Sequence, residues 1–174
     1  MEQRGLRDYL HQKAASMRAA AASRPNGKDW RERVEATVVA DDLTGVRKMR
    51  IRAWELIGDS GPAFGGWNLG PSSPELFCGI IGTCLTHMYL IGAAAREIPL
   101  DRVAIRVTAD NNDAGLLGIS TSDPALPFNI TASVEVLAPD ADSEALASLH
   151  RYVAESCPLT NLVRTPNTVT IELV

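Results

Sequence analysis

Two of the three cysteines in this 174-residue sequence stand where a thiol could do chemistry. Cys84 lies inside an almost wholly apolar segment, among Gly79, Gly82, Thr83 and Thr86, and Cys157 directly precedes a proline in Ser156-Cys157-Pro158-Leu159-Thr160-Asn161. A thiol on a buried helix, with a second thiol 73 positions later at a helix start, suggests redox chemistry. The plainer alternative is that both are small hydrophobes, since free cysteine is among the most buried residue types. Cys78, six residues before Cys84, lies about 120° away around a helix axis and reads as core packing. His87, three residues after Cys84, is adjacent on the helix surface. As an imidazolium it would lower the thiol pKa; as a hydrogen-bonded core histidine it would only pack. Phe77, Ile81 and Met88, with His87, are the candidate lining of an apolar substrate pocket.

The elements that must hold these residues follow from periodicity and punctuation. Residues 74–96 form the longest continuous pattern, with Leu76, Phe77, Ile80, Ile81, Leu85 and Met88 surrounding the axis; a buried helix is expected, capped by Ser73 with Pro74 at its first position. Ahead of it, Leu6, Tyr9, Leu10, Lys13, Ala14 and Met17 give an amphipathic leading helix that stops at Arg24-Pro25-Asn26-Gly27. A hairpin is expected from the alternation of Val34, Ala36, Val38 and Ala40, a turn at 41–45, and one strand over 46–54. Residues 58–73, rich in Gly, Pro and Ser, read as a loop and a candidate lid. Beyond Pro99 come a strand through Val103, Ile105 and Val107, a turn-rich excursion with a short strand at 116–120, and a clear strand through Phe128, Ile130, Ala132, Val134 and Val136. A helix with the stripe Leu146, Leu149 and Val153 follows, then a short helix from Pro158 and a terminal strand through Val169, Ile171 and Leu173. Strands in hairpin-like runs around one buried helix favour an α+β fold. The expected organisation is a leading helix over 1–30 and one domain over 31–174.

Composition narrows the function. A net charge of −4 and a pI near 5.4 argue against a nucleic-acid partner, since phosphate binding rests on Lys and Arg. Residues 1–33 hold eight Lys/Arg against four Asp/Glu, a local +4 that leaves −8 for the remainder; a basic helix docked on an acidic body accounts for this. The apolar run at 74–96 approaches the roughly 20 residues that span a bilayer, but Thr83, Thr86 and His87 interrupt it and strands flank it, so no membrane partner is expected. The N-terminus lacks the apolar core of a signal peptide, and a cytoplasmic location is expected. In that reducing compartment a disulfide is more often transient and catalytic than structural. Asp110-Asn111-Asn112-Asp113 reads as a turn, and neither a metal nor a bound cofactor is implied.

The chain resembles the family of osmotically inducible protein C and organic hydroperoxide resistance protein (OsmC/Ohr). The resemblance rests on Gly65-Gly66, on 70–77 (Gly-Pro-Ser-Ser-Pro-Glu-Leu-Phe), on Gly82-Thr83-Cys84, on Ile98-Pro99-Leu100 and on Cys157-Pro158-Leu159-Thr160-Asn161, in order over residues 34–174. It implies an intertwined homodimer of α+β fold, with two central helices held by curved sheets. It also implies a thiol peroxidase, with Cys84 as the attacking residue and Cys157 as the resolving one, acting on organic hydroperoxides and less well on hydrogen peroxide, with electrons from a dithiol reductant. The family's glutamate, ten positions before the cysteine, is replaced here by Pro74; Glu75, nine before, falls near 180° from Cys84 on a regular helix and suits the helix dipole instead. The family's arginine comes from the first hairpin, where this chain has residues 41–45 without one. Arg47 is the nearest replacement, sharing a face with Met49 and Ile51; it is either the thiolate's partner or part of an interface ion pair. These departures keep a second reading open: a non-peroxidatic binding protein that uses the interface pocket for a small apolar or thiol-reactive ligand.

Overall fold

Helix α1 (Leu6–Ser23) forms where the leading apolar stripe lies, and buries Leu10 and Ala14. A computed structural model of the chain describes residues 5–173. Strands β1 (Thr37–Ala40), β2 (Arg47–Ile51) and β3 (Trp54–Gly58) make an antiparallel meander. The turn between β1 and β2 is the expected one: Gly45 adopts φ 67°, and Asp41 accepts the Thr44 hydroxyl at 2.9 Å and the Lys48 ammonium at 2.6 Å. The single strand expected over 46–54 is instead two. Ile51 pairs with Trp54 across a two-residue turn in which Arg52 takes φ 55°, the left-handed conformation such hairpin loops require.

The long helix α2 (Ser73–Arg96) spans the expected residues, but it is not buried on all sides within the chain, Ile80 being 53% exposed, and its cap is shifted by one residue. Ser72, not Ser73, closes the first turn: its hydroxyl accepts the Glu75 N–H at 3.4 Å, while the Glu75 carboxylate accepts the Ser72 N–H at 2.7 Å. This reciprocal pair is a capping box, so Pro74 sits one position further into the helix than expected. Strands β4 (Arg102–Asp110) and β5 (Phe128–Leu137) pair in a two-stranded sheet. Bonds near its two ends, Asp101 N–H to the Leu137 carbonyl and the Asn129 amide to the Asp110 carboxylate, make it antiparallel. The short strand expected at 116–120 is absent; a 3-10 turn (Asp113–Leu117), capped by Asn112 and closed by Gly118 at φ 70°, takes that place.

Helix α3 (Ser143–Ser156), capped by the Asp142 carboxylate on the Ala145 N–H, buries Leu149 and Val153 of its expected stripe. Helix α4 (Pro158–Arg164) starts at the proline, with Cys157 as the residue between the two helices. The terminal strand is not formed within the chain: residues 166–173 carry no strand, and Val169 and Ile171 are 83% and 92% exposed. Alternation alone cannot make a strand without a neighbouring edge to bond.

The chain divides into two compact units. The first comprises Met1–Ser23, Ile81–Val107 and Ala132–Val174, with a core that includes Ile81, Leu85, Tyr89, Leu100, Leu149 and Val153. The second comprises Arg24–Ile80 and Thr108–Thr131, and so holds the meander, the 59–72 loop and the first turns of α2.

Candidate functional site

Within the first unit, α3 packs along α2 because Gly92 lets it: a Cβ there would lie 2.5 Å from Leu149 Cδ1 and 3.0 Å from the Tyr152 ring. Residue 89 meets 150 and residue 84 meets 157, so the helices run antiparallel and the end of α3 lies beside the middle of α2. That arrangement brings the Cys84 and Cys157 sulfurs to 3.5 Å, a hydrogen-bonding separation for thiols. Both are free thiols. Cys84 is half-buried and Cys157 fully buried.

Their electrostatics differ. Burial pushes the Cys84 thiol up, opposed by the Leu159 N–H and reinforced by charge on Cys157. Burial acts on Cys157 in the same direction, but N–H groups of Thr160 and Leu159, the Thr160 hydroxyl and Cys84 together outweigh it and hold Cys157 below an ordinary thiol. These are the first amides of α4, where the helix dipole also favours negative charge. The shared hydrogen therefore rests on Cys84, and the charge of the singly ionised pair on Cys157. Sequence reasoning anticipated the helix start but missed Thr160, whose place three residues after a cap was its signal.

The other candidates are placed as follows. Ile81 and Met88 are buried in the core of the first unit. His87 is not a core residue: it is exposed, and Lys13 of α1 donates to its Nε2 at 3.3 Å. Burial first, then the Lys13 charge, lowers its pKa, so the ring is neutral near pH 7 and is not the imidazolium considered above. The leading-helix pattern that contains Lys13 gave no sign that its ammonium would reach His87. In the second unit, Phe77 is half-buried and Glu75 is the exposed capping-box acid, its pKa lowered by the Ser72 N–H. Arg47, Met49 and Ile51 do share the more covered face of β2, and the Arg47 guanidinium reaches the Ser60 hydroxyl at 3.4 Å. The 59–72 loop is pinned at its base rather than hinged. Asp59, 2% exposed, accepts N–H groups from Ser60, Trp67 and Leu69 at 2.7, 3.0 and 3.0 Å.

The family model for OsmC-like protein matches residues 65–172, most of the chain and both cysteines. The chain belongs to the OsmC-like family. Solved structures agree with the α+β OsmC-like fold. An OsmC-like protein from Mycoplasma pneumoniae superposes with a TM-score of 0.64 at 14% identity, covering 76% of this chain and 88% of that one. An organic hydroperoxide resistance protein OsmC from Legionella pneumophila gives 0.54 at 15% identity, covering 76% and 90%. The organic hydroperoxide resistance protein OhrB of Bacillus subtilis gives 0.50 at 17% identity, covering 76% and 91%. Identities this low speak for the fold. No curated protein sequence matches the chain.

Proposed function

We propose that this OsmC-like protein is a homodimeric thiol peroxidase that reduces organic hydroperoxides in a reducing, cytoplasmic environment. The observation that supports the reading is the 3.5 Å approach of a half-buried Cys84 to a fully buried Cys157. Cys84 passes its proton to the Cys157 thiolate and attacks the peroxide as a thiolate. The O–O bond breaks, the alcohol leaves with that proton, and Cys84 becomes a sulfenic acid. The Cys157 thiolate then attacks the Cys84 sulfur; a disulfide forms and hydroxide leaves, taking a proton from solvent as water. A dithiol reductant restores both thiols by exchange. In this reading Ile81, His87 and Met88 of the first unit border the substrate, and Glu75 keeps its capping role.

Reduced protein should consume about one equivalent of an organic hydroperoxide and form one disulfide, joining Cys84 to Cys157 on peptide mapping. Cys157→Ser should instead leave Cys84 to over-oxidise to the sulfinic acid. A disulfide through Cys78, or none, refutes the assignment. The raised Cys84 thiol favours a second reading, a binding protein on the same fold that captures a small apolar or thiol-reactive molecule; it predicts no peroxide turnover in the same assay.

A further inference from the structure

A cleft of about 230 Å3, open to solvent on one side, lies in the first unit, away from the residues the thiol chemistry uses. Val134 and Val136, two positions apart on one face of β5, form one wall, and Leu146 and Leu149 of α3 form another. Tyr89 and His150 supply its polar end, the Tyr89 hydroxyl standing 2.5 Å from His150 Nδ1. Tyr89 lies five residues beyond Cys84, about 140° around the axis of α2, so the cleft opens on another face of that helix.

Tyr89 is 2% exposed, and burial raises its pKa, so the phenol keeps its proton and can donate it to His150 Nδ1. In the tautomer that accepts there, Nε2–H of the exposed His150 is a donor. The volume exceeds the roughly 150 Å3 of an apolar cavity that admits benzene and falls below the roughly 300 Å3 at which drug-sized pockets begin.

We propose that this cleft is a ligand site for a small amphiphile: a single-ring or short-chain apolar body between Val134, Val136, Leu146 and Leu149, with one hydrogen-bond acceptor held by Nε2–H of His150. The site is independent of the thiol pair, and its test is independent of peroxide turnover.

Methyl-resolved NMR titration of the full-length protein decides the matter, with acetophenone as the probe and ethylbenzene as its counterpart of similar shape lacking the acceptor. Saturable shifts are expected at the Val134, Val136, Leu146 and Leu149 methyls. Acetophenone should bind about two- to tenfold tighter than ethylbenzene, the worth of one hydrogen bond. His150→Ala, at an exposed position, should erase that preference, and Cys84→Ser should leave it intact. Val134→Phe, which fills the cleft, should abolish both titrations. Absence of saturation, equal affinity of the wild-type protein for the two probes, an undiminished preference in His150→Ala, or loss of binding in Cys84→Ser would each overturn the proposal.

Discussion

Cys84 and Cys157 share one hydrogen bond but not one field. Cys157 is fully buried, yet its pKa is lowered, because Thr160 and Leu159 aim donors at its sulfur. Thr160 has two acceptors in reach: its hydroxyl is 3.1 Å from the Cys157 carbonyl oxygen and can turn to the sulfur when that sulfur is charged. Thr160→Val keeps the shape and removes this donor. With less stabilisation of the thiolate, the Cys157 pKa should rise. In a Cys84→Ser background, alkylation of Cys157 should therefore move to higher pH on Thr160→Val. In the two-thiol protein, sulfenic acid on Cys84 should persist longer at neutral pH, because less Cys157 thiolate is available to resolve it. Coincident alkylation curves would show that the amides alone set the thiol.

At the scale of elements, the thiol distance is a consequence of how closely α3 lies on α2. Gly92 sets that approach, and its counterpart Leu149 is fully buried. Gly92→Ala gains up to about 1 kcal/mol of helix propensity but places a methyl 2.5 Å from Leu149 Cδ1. Overpacking of that kind costs about 1–3 kcal/mol, so with the full propensity gain the net expectation is a destabilisation of up to about 2 kcal/mol, read from denaturant midpoints. The same change should slow formation of the Cys84–Cys157 disulfide by forcing the helices apart. A variant more stable than the parent would mean that α3 shifts without strain, and that the thiol separation is not set at this crossing. The acid of the capping box belongs to this scale too: Glu75 spends its carboxylate on Ser72, at 2.7 Å from the N–H and 2.8 Å from the hydroxyl.

The whole chain leaves much apolar surface uncovered. Only 28% of the most apolar window of α2 is buried, and Ile80 on that helix is 53% exposed; Trp54, Leu56 and Ile57 of β3 are 67%, 44% and 47% exposed. Exposure on this scale, together with the fully uncovered alternation of Val169 and Ile171, marks surface that a partner should cover. The expected partner is a second copy, and a self-complementary contact around a two-fold axis is the commonest solution. Sedimentation equilibrium should give twice the mass of one chain at micromolar concentration, with fluorescence of Trp54 shifted to the blue of an exposed indole. A folded monomer with exposed Trp54 would contradict this.

The sequence by itself determined the parts whose causes are local. The α1 stripe, the apolar run of α2, the period-two run of β5 and the Leu149 and Val153 stripe of α3 were legible because each depends on neighbours within a turn or a strand. So were the two cysteines, through their flanking motifs. Local signals misled where two conformations share one pattern. Arg52-Ala53 holds neither glycine nor proline, so a tight hairpin read as continuous strand; Leu116 and Leu117 read as strand but closed a 3-10 turn against Gly118. Tertiary structure alone decided the rest: the 3.5 Å between residues 73 apart, the Tyr89–His150 pair 61 apart, the Lys13 contact to His87 and the burial of Asp59 under its own loop. No periodicity encodes those distances, because they are set by how closely one helix can pack on another and by where buried polar groups find their donors.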